Sequence, residues 1–233
     1  MTTLPYKTAL IVGAGVGISA SVARGLTAAG VKVGLAARNI DKLAELAQQI
    51  GAERFAADAT DPAAVAHLFD DAAARLGSPE VVLYNASARA PGPIAEIDPE
   101  AAKKALEISA YGAFLVVQQA AKRMIPNRHG AILLTGASAS VKGYPRSAIF
   151  AMGKFALRGL AQATARELHP QGIHVAHFNI DGGVRSARRP DPADRPDSTL
   201  DPDAIAQTYI EVLRQPRSAW SLEIELRPWV ETF

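Results

Sequence analysis

The stretch ALIVGAGVGIS, residues 9–19, decides the fold of this 233-residue chain. An apolar run of strand type enters a turn that contains Gly13, Gly15 and Gly17, and a helical segment follows from Ile18. Glycine allows the backbone to turn sharply and to approach a ligand closely. The helix N-terminus offers free N–H groups to a phosphate. The stretch therefore predicts a strand, a phosphate-binding turn and a helix, although Ile18 replaces the last glycine of the G-x-G-x-x-G fingerprint.

The rest of the chain continues this alternation of strands and helices. Short β-branched runs predict strands at 8–12, 31–36, 54–56, 81–84, 131–134, 173–179 and 222–226. Alanine-rich segments predict helices at 18–29, 40–50, 62–76, 99–125, 147–169 and 202–214, and Asp-Pro pairs at 61–62, 98–99 and 201–202 are typical N-cap signals. The pattern predicts a single-domain α/β fold, a Rossmann-like, doubly wound parallel sheet with helices on both faces.

Composition narrows the class of protein. The chain is 48% hydrophobic with a formal net charge of +2, which favours neither nucleic acid nor a membrane as partner. It has no cysteine, and its five histidines lack metal-ligand spacing, so we expect no disulfide and no metal. No apolar run is long enough to span a bilayer. These features predict a cytoplasmic protein.

The end of the second predicted strand bears on the choice of nucleotide. Many NAD sites have an acidic residue here that binds the ribose 2′-hydroxyl. This chain has Ala37 and Arg38 instead. Arginine can bind a 2′-phosphate with two hydrogen bonds, and alanine removes a repelling carboxylate. The sequence therefore favours NADP(H) over NAD(H).

Further motifs follow the strands in order. They are Gly13-x-x-x-Gly17-Ile18, Asp58 in AADAT, YNAS at 84–87, TGASAS at 135–140, the helix with Lys154, and IDGG at 180–183. With these motifs nearly the whole chain resembles the short-chain dehydrogenase/reductase family. The resemblance implies seven strands in the order 3-2-1-4-5-6-7. It also implies a cofactor site of Gly13, Gly15, Gly17, Ile18, Arg38, Asp58, Ala59, Asn85, Ala86, Lys154, Gly182 and Val184.

The catalytic positions depart from the family pattern. The family's tetrad is Asn, Ser, Tyr and Lys, and by matching position Ser109 replaces the Asn and Phe150 replaces the Tyr, whereas Lys154 is kept. Family spacing places the serine at Ala137, so Ser138, one residue later, is the candidate and Ser140 a more distant one. The lysine of the family binds nicotinamide ribose. The resemblance thus implies retained cofactor binding without the usual proton donor.

Three functions stay open at this point. The chain can be an NADP(H)-dependent oxidoreductase of small organic molecules whose proton comes from Tyr144, Tyr111, Ser138, Asp181 or water. It can reduce an activated double bond that needs no tyrosine. It can also be a catalytically inactive nucleotide-binding member of the family that acts as a sensor or partner subunit.

The domain prediction is one dinucleotide-binding domain over residues 1–233. Residues 185–203, rich in proline, aspartate and arginine, break the periodicity and predict either a solvated loop or a flexible substrate loop. The segments around 111–121 and 154–165 are apolar on more than one face. Such helices need two buried neighbours, so we expect a homodimer or homotetramer.

Overall fold

Seven parallel strands form one sheet in the part of the chain that the computed structural model describes, residues 4–231. The order is β3-β2-β1-β4-β5-β6-β7, which confirms the predicted fold. The strands are β1 (Thr8–Val12), β2 (Lys32–Ala37), β3 (Glu53–Ala56), β4 (Val81–Tyr84), β5 (Gly130–Thr135), β6 (Ile173–Ile180) and β7 (Glu223–Leu226). The predicted bounds differ by one residue at several strand ends. The assignment of all 233 residues to one domain stays a prediction, because residues 1–3 and 232–233 lie outside the described part.

Helices connect the strands and cover both faces of the sheet. They are α1 (Ile18–Ala28), α2 (Ala44–Ile50), α3 (Pro62–Leu76), α4 (Pro99–Leu106), α5 (Gly112–Met124), α6 (Ala148–Leu168) and α7 (Pro202–Leu213). The carboxylates of Asp61, Asp98 and Asp201 accept hydrogen bonds from backbone N–H groups in the first turns of α3, α4 and α7. The three Asp-Pro N-caps are thereby confirmed. No helix within residues 4–231 is long and apolar enough to cross a membrane.

The predicted helix 99–125 is helical from residue 99 to 124, but it is not a regular α-helix throughout. A π-helical turn, Glu107–Tyr111, separates α4 from α5, and a 3-10 turn, Ile125–Asn127, follows α5. A π turn inserts one residue without changing the apolar character of the segment, so periodicity could not show it. The predicted helix 40–50 likewise begins as a 3-10 turn, Asp41–Leu43, before α2.

Each central strand is buried on both faces, which divides the core in two. In β1, Ala9 and Ile11 pack with α1 and α7, whereas Leu10 and Val12 pack with α3, α5 and α6. Such strands therefore read as continuous apolar runs.

The strand order fixes where a ligand can bind. β1 pairs with β2 on one side and with β4 on the other, so the direction in which the chain winds reverses between β1 and β4. In doubly wound sheets the crevice for a ligand lies at this reversal, outside the carboxyl ends of the strands. The glycine-rich turn follows β1 at this position.

Candidate cofactor and active site

The glycine-rich turn depends on two backbone features that only glycine supplies easily. Gly13 and Gly17 have φ of +81° and +82°, in the left-handed region. A Cβ on Gly13 would lie 2.3 Å from the backbone N of Ala86. Gly13 therefore lets the turn after β1 contact the loop after β4, and Gly17 caps α1.

A buried serine holds this turn in place. The Ser19 hydroxyl donates to the Gly13 carbonyl oxygen over 3.2 Å and accepts a 2.7 Å hydrogen bond from Asn85 Nδ2. Ser19 thus joins α1, the glycine turn and the loop after β4. The predicted cofactor residue Asn85 supports the turn through this contact.

A cleft of about 490 Å³ opens above the turn, at the carboxyl ends of β1, β2 and β4. Seven predicted cofactor residues line it, namely Gly13, Gly15, Arg38, Asp58, Ala59, Asn85 and Ala86. Other predicted cofactor residues lie outside the lining: Gly17 and Ile18 begin α1, Lys154 lies on α6, and Gly182 and Val184 follow β6. Asn39, Lys42 and Thr60 also line the cleft.

The end of the cleft near β2 combines positive charge with one ordered carboxylate. Arg38 and Lys42 line the cleft there, and Arg38 is exposed. The Asp58 carboxylate accepts hydrogen bonds from the Thr60 backbone N at 2.9 Å and the Thr60 hydroxyl at 2.8 Å. These bonds, and more weakly the charges of Arg38 and Lys104, lower the pKa of Asp58. Asp58 is therefore ionised and fixed in place.

Lys154 is buried at the carboxyl end of β5. Its side chain is 3% exposed, and Nζ donates a 2.7 Å hydrogen bond to the Thr135 carbonyl oxygen. Burial, and to a smaller extent the positive charge of Arg89, lowers its pKa from 10.5 to about 8. Lys154 therefore does not reach the surface as an ordinary solvated lysine does.

Phe150 lies one helical turn before Lys154 on α6. Its ring centroid is 5.9 Å from Lys154 Nζ and 4.0 Å from the guanidinium carbon of Arg89. Phe150 has no group that can exchange a proton. The Phe150 ring therefore has two cationic side chains, Lys154 and Arg89, near it.

Ser109 serves the loop after β4. It lies on the π turn between α4 and α5, buried, and its hydroxyl accepts a 3.1 Å hydrogen bond from Ala88 N. The same hydroxyl donates to the Ala88 carbonyl oxygen over 3.4 Å. A Cβ on Gly153 would lie 2.8 Å from Ser109 Cβ, so this glycine lets α6 approach the π turn.

The two serines after β5 differ in their contacts. The Ser140 hydroxyl is buried and accepts a 3.1 Å hydrogen bond from Ala137 N. Ser138 is half-buried, and its hydroxyl makes no hydrogen bond with residues 4–231. Of the two, Ser138 has the hydroxyl that is available to a ligand.

Asp181 follows β6 and is almost fully buried in a cluster of charges. Its carboxylate lies 3.5 Å from Lys142 Nζ and 3.1 Å from an Arg227 guanidinium nitrogen. The next residue, Gly182, would place a Cβ 2.8 Å from the Pro228 ring. Asp181 thus contacts two cations, of which Arg227 also pairs with Glu225.

The segment 185–203 is held together by its own ion pairs. Arg185 lies 2.5 Å from an Asp191 oxygen, 3.1 Å from Asp197 and 3.4 Å from Asp201. Val184 pairs with Leu200 as an isolated bridge. Arg185 is therefore paired with aspartates of its own loop. The flexibility of the loop stays a prediction.

A profile of the short chain dehydrogenase family matches residues 7–188. The chain belongs to this family. Its members bind a nicotinamide cofactor and act as oxidoreductases on small molecules.

Relatives agree over almost the full length. A short-chain dehydrogenase structure from Rhodopseudomonas palustris is 34% identical with a TM-score of 0.82, covering 96% of this chain and 99% of that one. An uncharacterized oxidoreductase of Staphylococcus aureus (strain N315) is 27% identical over 98% of this chain and 100% of its own. A metagenomic short-chain oxidoreductase solved in complex with NADP is 24% identical, with a TM-score of 0.84 over 97% and 98% of the two chains, which shows the fold alone.

The turn of this short-chain dehydrogenase fits a dinucleotide. A Cβ on Gly15 or Gly17 would meet no atom within 4 Å, so the space over the turn is open to a phosphate. The roles of the individual residues, including the replacement of a catalytic tyrosine by Phe150, stay predictions.

Asn39, Lys42, Thr60 and Arg89 were not predicted from the sequence as site residues. Lys42 is a second basic residue shortly after Arg38, and this proximity in the sequence was a usable signal. The role of Arg89 could not be predicted, because its contact with Phe150 joins residues 61 positions apart and Arg89 belongs to no sequence motif.

Proposed function

We propose that this short-chain dehydrogenase is an NADP(H)-dependent oxidoreductase that transfers a hydride to or from a small organic substrate with a non-standard proton donor. The observation that carries the cofactor choice is the pair of cations, Arg38 and Lys42, at the β2 end of the cleft. Ala37 stands before them where an acid would repel a 2′-phosphate. The NADP complex of the metagenomic neighbour adds support.

The catalytic end is proposed from Lys154 and Ser138. A bound nicotinamide supplies or accepts the hydride. The Lys154 ammonium, fixed by Thr135, has further N–H groups for ribose hydroxyls, and Ser138 offers a free hydroxyl to the substrate. With a pKa of about 8, Lys154 is itself a candidate proton donor near neutral pH.

The donors considered from sequence differ in their surroundings. Asp181 is buried and already paired with Lys142 and Arg227, so its carboxylate is engaged within the protein. Tyr111 packs its ring on Phe114 at 6.2 Å and faces the outer surface of α4 and α6. Tyr144 is exposed beside Lys142, whose Nζ is 5.9 Å from its ring centroid. Tyr144 and water thus stay open as donors.

Titration of NADPH and NADH by fluorescence tests the cofactor choice. In Arg38→Ala we expect NADPH binding to weaken about 10- to 100-fold, the effect of losing one or two charged hydrogen bonds, and NADH binding to change little. Arg24→Ala, an exposed arginine on α1, is the matched control. Equal weakening of both nucleotides would refute the phosphate contact.

A second function, that of a nucleotide-binding sensor or partner subunit without turnover, is favoured by Phe150 and Ala137. Both positions lack the hydroxyl that the family pattern has there. Under this function NADPH binds normally, but no carbonyl or enoyl compound in a substrate panel is reduced.

We also propose a homodimer or homotetramer, located in the cytoplasm. Tyr111, Phe114, Met152 and Phe155 are 43–54% exposed on α6 and on the segment from the π turn into α5. Apolar side chains grouped in this way favour burial against a second copy. Sedimentation velocity measures the subunit number.

A further inference from the structure

Arg89 presents a free charged edge beside the predicted catalytic position. Its guanidinium carbon lies over the Phe150 ring, 4.0 Å from the ring centroid. A cation–π contact uses no hydrogen-bond acceptor, so the N–H donors of the guanidinium remain for another partner. Phe150 thus serves Arg89 as a support.

The backbone around Arg89 is fixed on both sides, although its side chain is exposed. Ala88 exchanges two hydrogen bonds with the buried Ser109 hydroxyl. Ala90 is buried against Ala105 and Ile149. The arginine therefore projects from a defined position.

The charge at this position is not balanced. No hydrogen bond or ion pair from residues 4–231 reaches Arg89. The second cation, Lys154, bonds only to the neutral Thr135 carbonyl within the same residues. The buried carboxylate of Asp181 is paired with Lys142 and Arg227. Two cations without a carboxylate partner favour an anionic ligand.

We propose that Arg89, supported by Phe150, binds a carboxylate of the substrate, so that the substrates of this enzyme are small organic acids. The proposal rests on the proposed function, because it places the acid next to the ribose-binding lysine. An arginine and a carboxylate form two parallel hydrogen bonds, which a neutral amide cannot replace with the same strength.

Benzoate and benzamide, which match in shape and differ in charge, test the proposal. Their binding to the NADP⁺-loaded and the cofactor-free protein is measured by ligand-observed NMR. We expect benzoate to bind the native protein about tenfold more tightly than benzamide, the scale of a charged hydrogen bond. Arg89→Met should abolish that preference, Arg89→Lys should retain part of it, and Arg24→Met should leave it unchanged.

Equal affinities for the two probes in the native protein, or a preference that survives in Arg89→Met, would overturn the proposal. Circular dichroism confirms that each variant is folded. The NADPH titration of the same samples separates the two hypotheses. If the native protein binds NADPH but shows no preference for benzoate, only the proposal that Arg89 binds a carboxylate is refuted. If it prefers benzoate but does not bind NADPH, the cofactor proposal is refuted and the proposed anion site is retained.

Discussion

The buried ammonium of Lys154 predicts a pH dependence of stability that one substitution can isolate. In the unfolded chain a lysine keeps its proton up to its ordinary pKa of 10.5, whereas Lys154 loses it near pH 8 in the folded protein. Between these values the unfolded state binds more protons, so the free energy of unfolding rises with pH. The contribution is complete above pH 10.5 and is lost as the pH falls through 8.

The size of the effect follows from the two pKa values. The full difference corresponds to about 3 kcal/mol, at about 1.4 kcal/mol for each pKa unit. Between pH 7 and pH 9 the expected gain is about 1 kcal/mol. Burial raises the pKa values of Tyr6, Tyr84 and Tyr209, but these groups lower stability only as the pH approaches their ordinary value of 10.0. At pH 9 and below, Lys154 is therefore the dominant of these groups.

Urea unfolding followed by tryptophan fluorescence at pH 7, 8 and 9 measures this gain. Lys154→Met removes the titrating group and keeps an apolar stem of similar length. Its free energy of unfolding should therefore rise by about 1 kcal/mol less than that of the native protein between pH 7 and pH 9. Lys122→Met, a lysine near the end of α5, should follow the native curve. Parallel curves for the native protein and Lys154→Met would refute the assignment of a lowered pKa to Lys154.

Two further predictions concern the turn and the aromatic position. Gly13→Ala should destabilise the fold by at least about 2 kcal/mol and abolish NADPH binding, because φ is +81° and the new Cβ would meet Ala86. Gly15→Ala, whose Cβ meets nothing within 4 Å, should keep the native stability. Urea unfolding compares the free energies of unfolding of the two variants. Phe150→Tyr combined with Ala137→Ser should raise carbonyl reductase activity about 100-fold or more, and no gain would mean that the pocket differs in more than these hydroxyls.

The sequence predicted those features that depend on local chemistry. The Asp-Pro caps at Asp61, Asp98 and Asp201 need only an acceptor and a proline one residue apart, so their positions were predictable. The parallel order of the sheet came from the family resemblance of the motifs. The glycine turn was also local, since its strand–turn–helix context lies within one short stretch, residues 9–19.

Other features depend on contacts between distant segments and could not be predicted. The π turn exists where the Ser109 hydroxyl bonds the backbone of Ala88, a contact between two segments that no periodicity encodes. The contact of Asp181 with Lys142 and Arg227 joins three segments. For Asp181 the sequence showed a new charge, and only the structure shows that it contacts two cations.

The predicted replacement of a catalytic tyrosine by Phe150 would change more than a proton donor. A tyrosine at this position would present a titratable hydroxyl beside Lys154, whereas the phenylalanine presents a ring face that holds Arg89. Arginine stays charged at every physiological pH, so it can bind an anion but cannot donate the proton of a reduction. Substrate binding and proton transfer would therefore be assigned to different groups, Arg89 for the first and Lys154, Tyr144 or water for the second. A site of this kind favours substrates that carry their own negative charge, and Phe150→Tyr, which restores the hydroxyl, should broaden its range toward neutral carbonyl compounds.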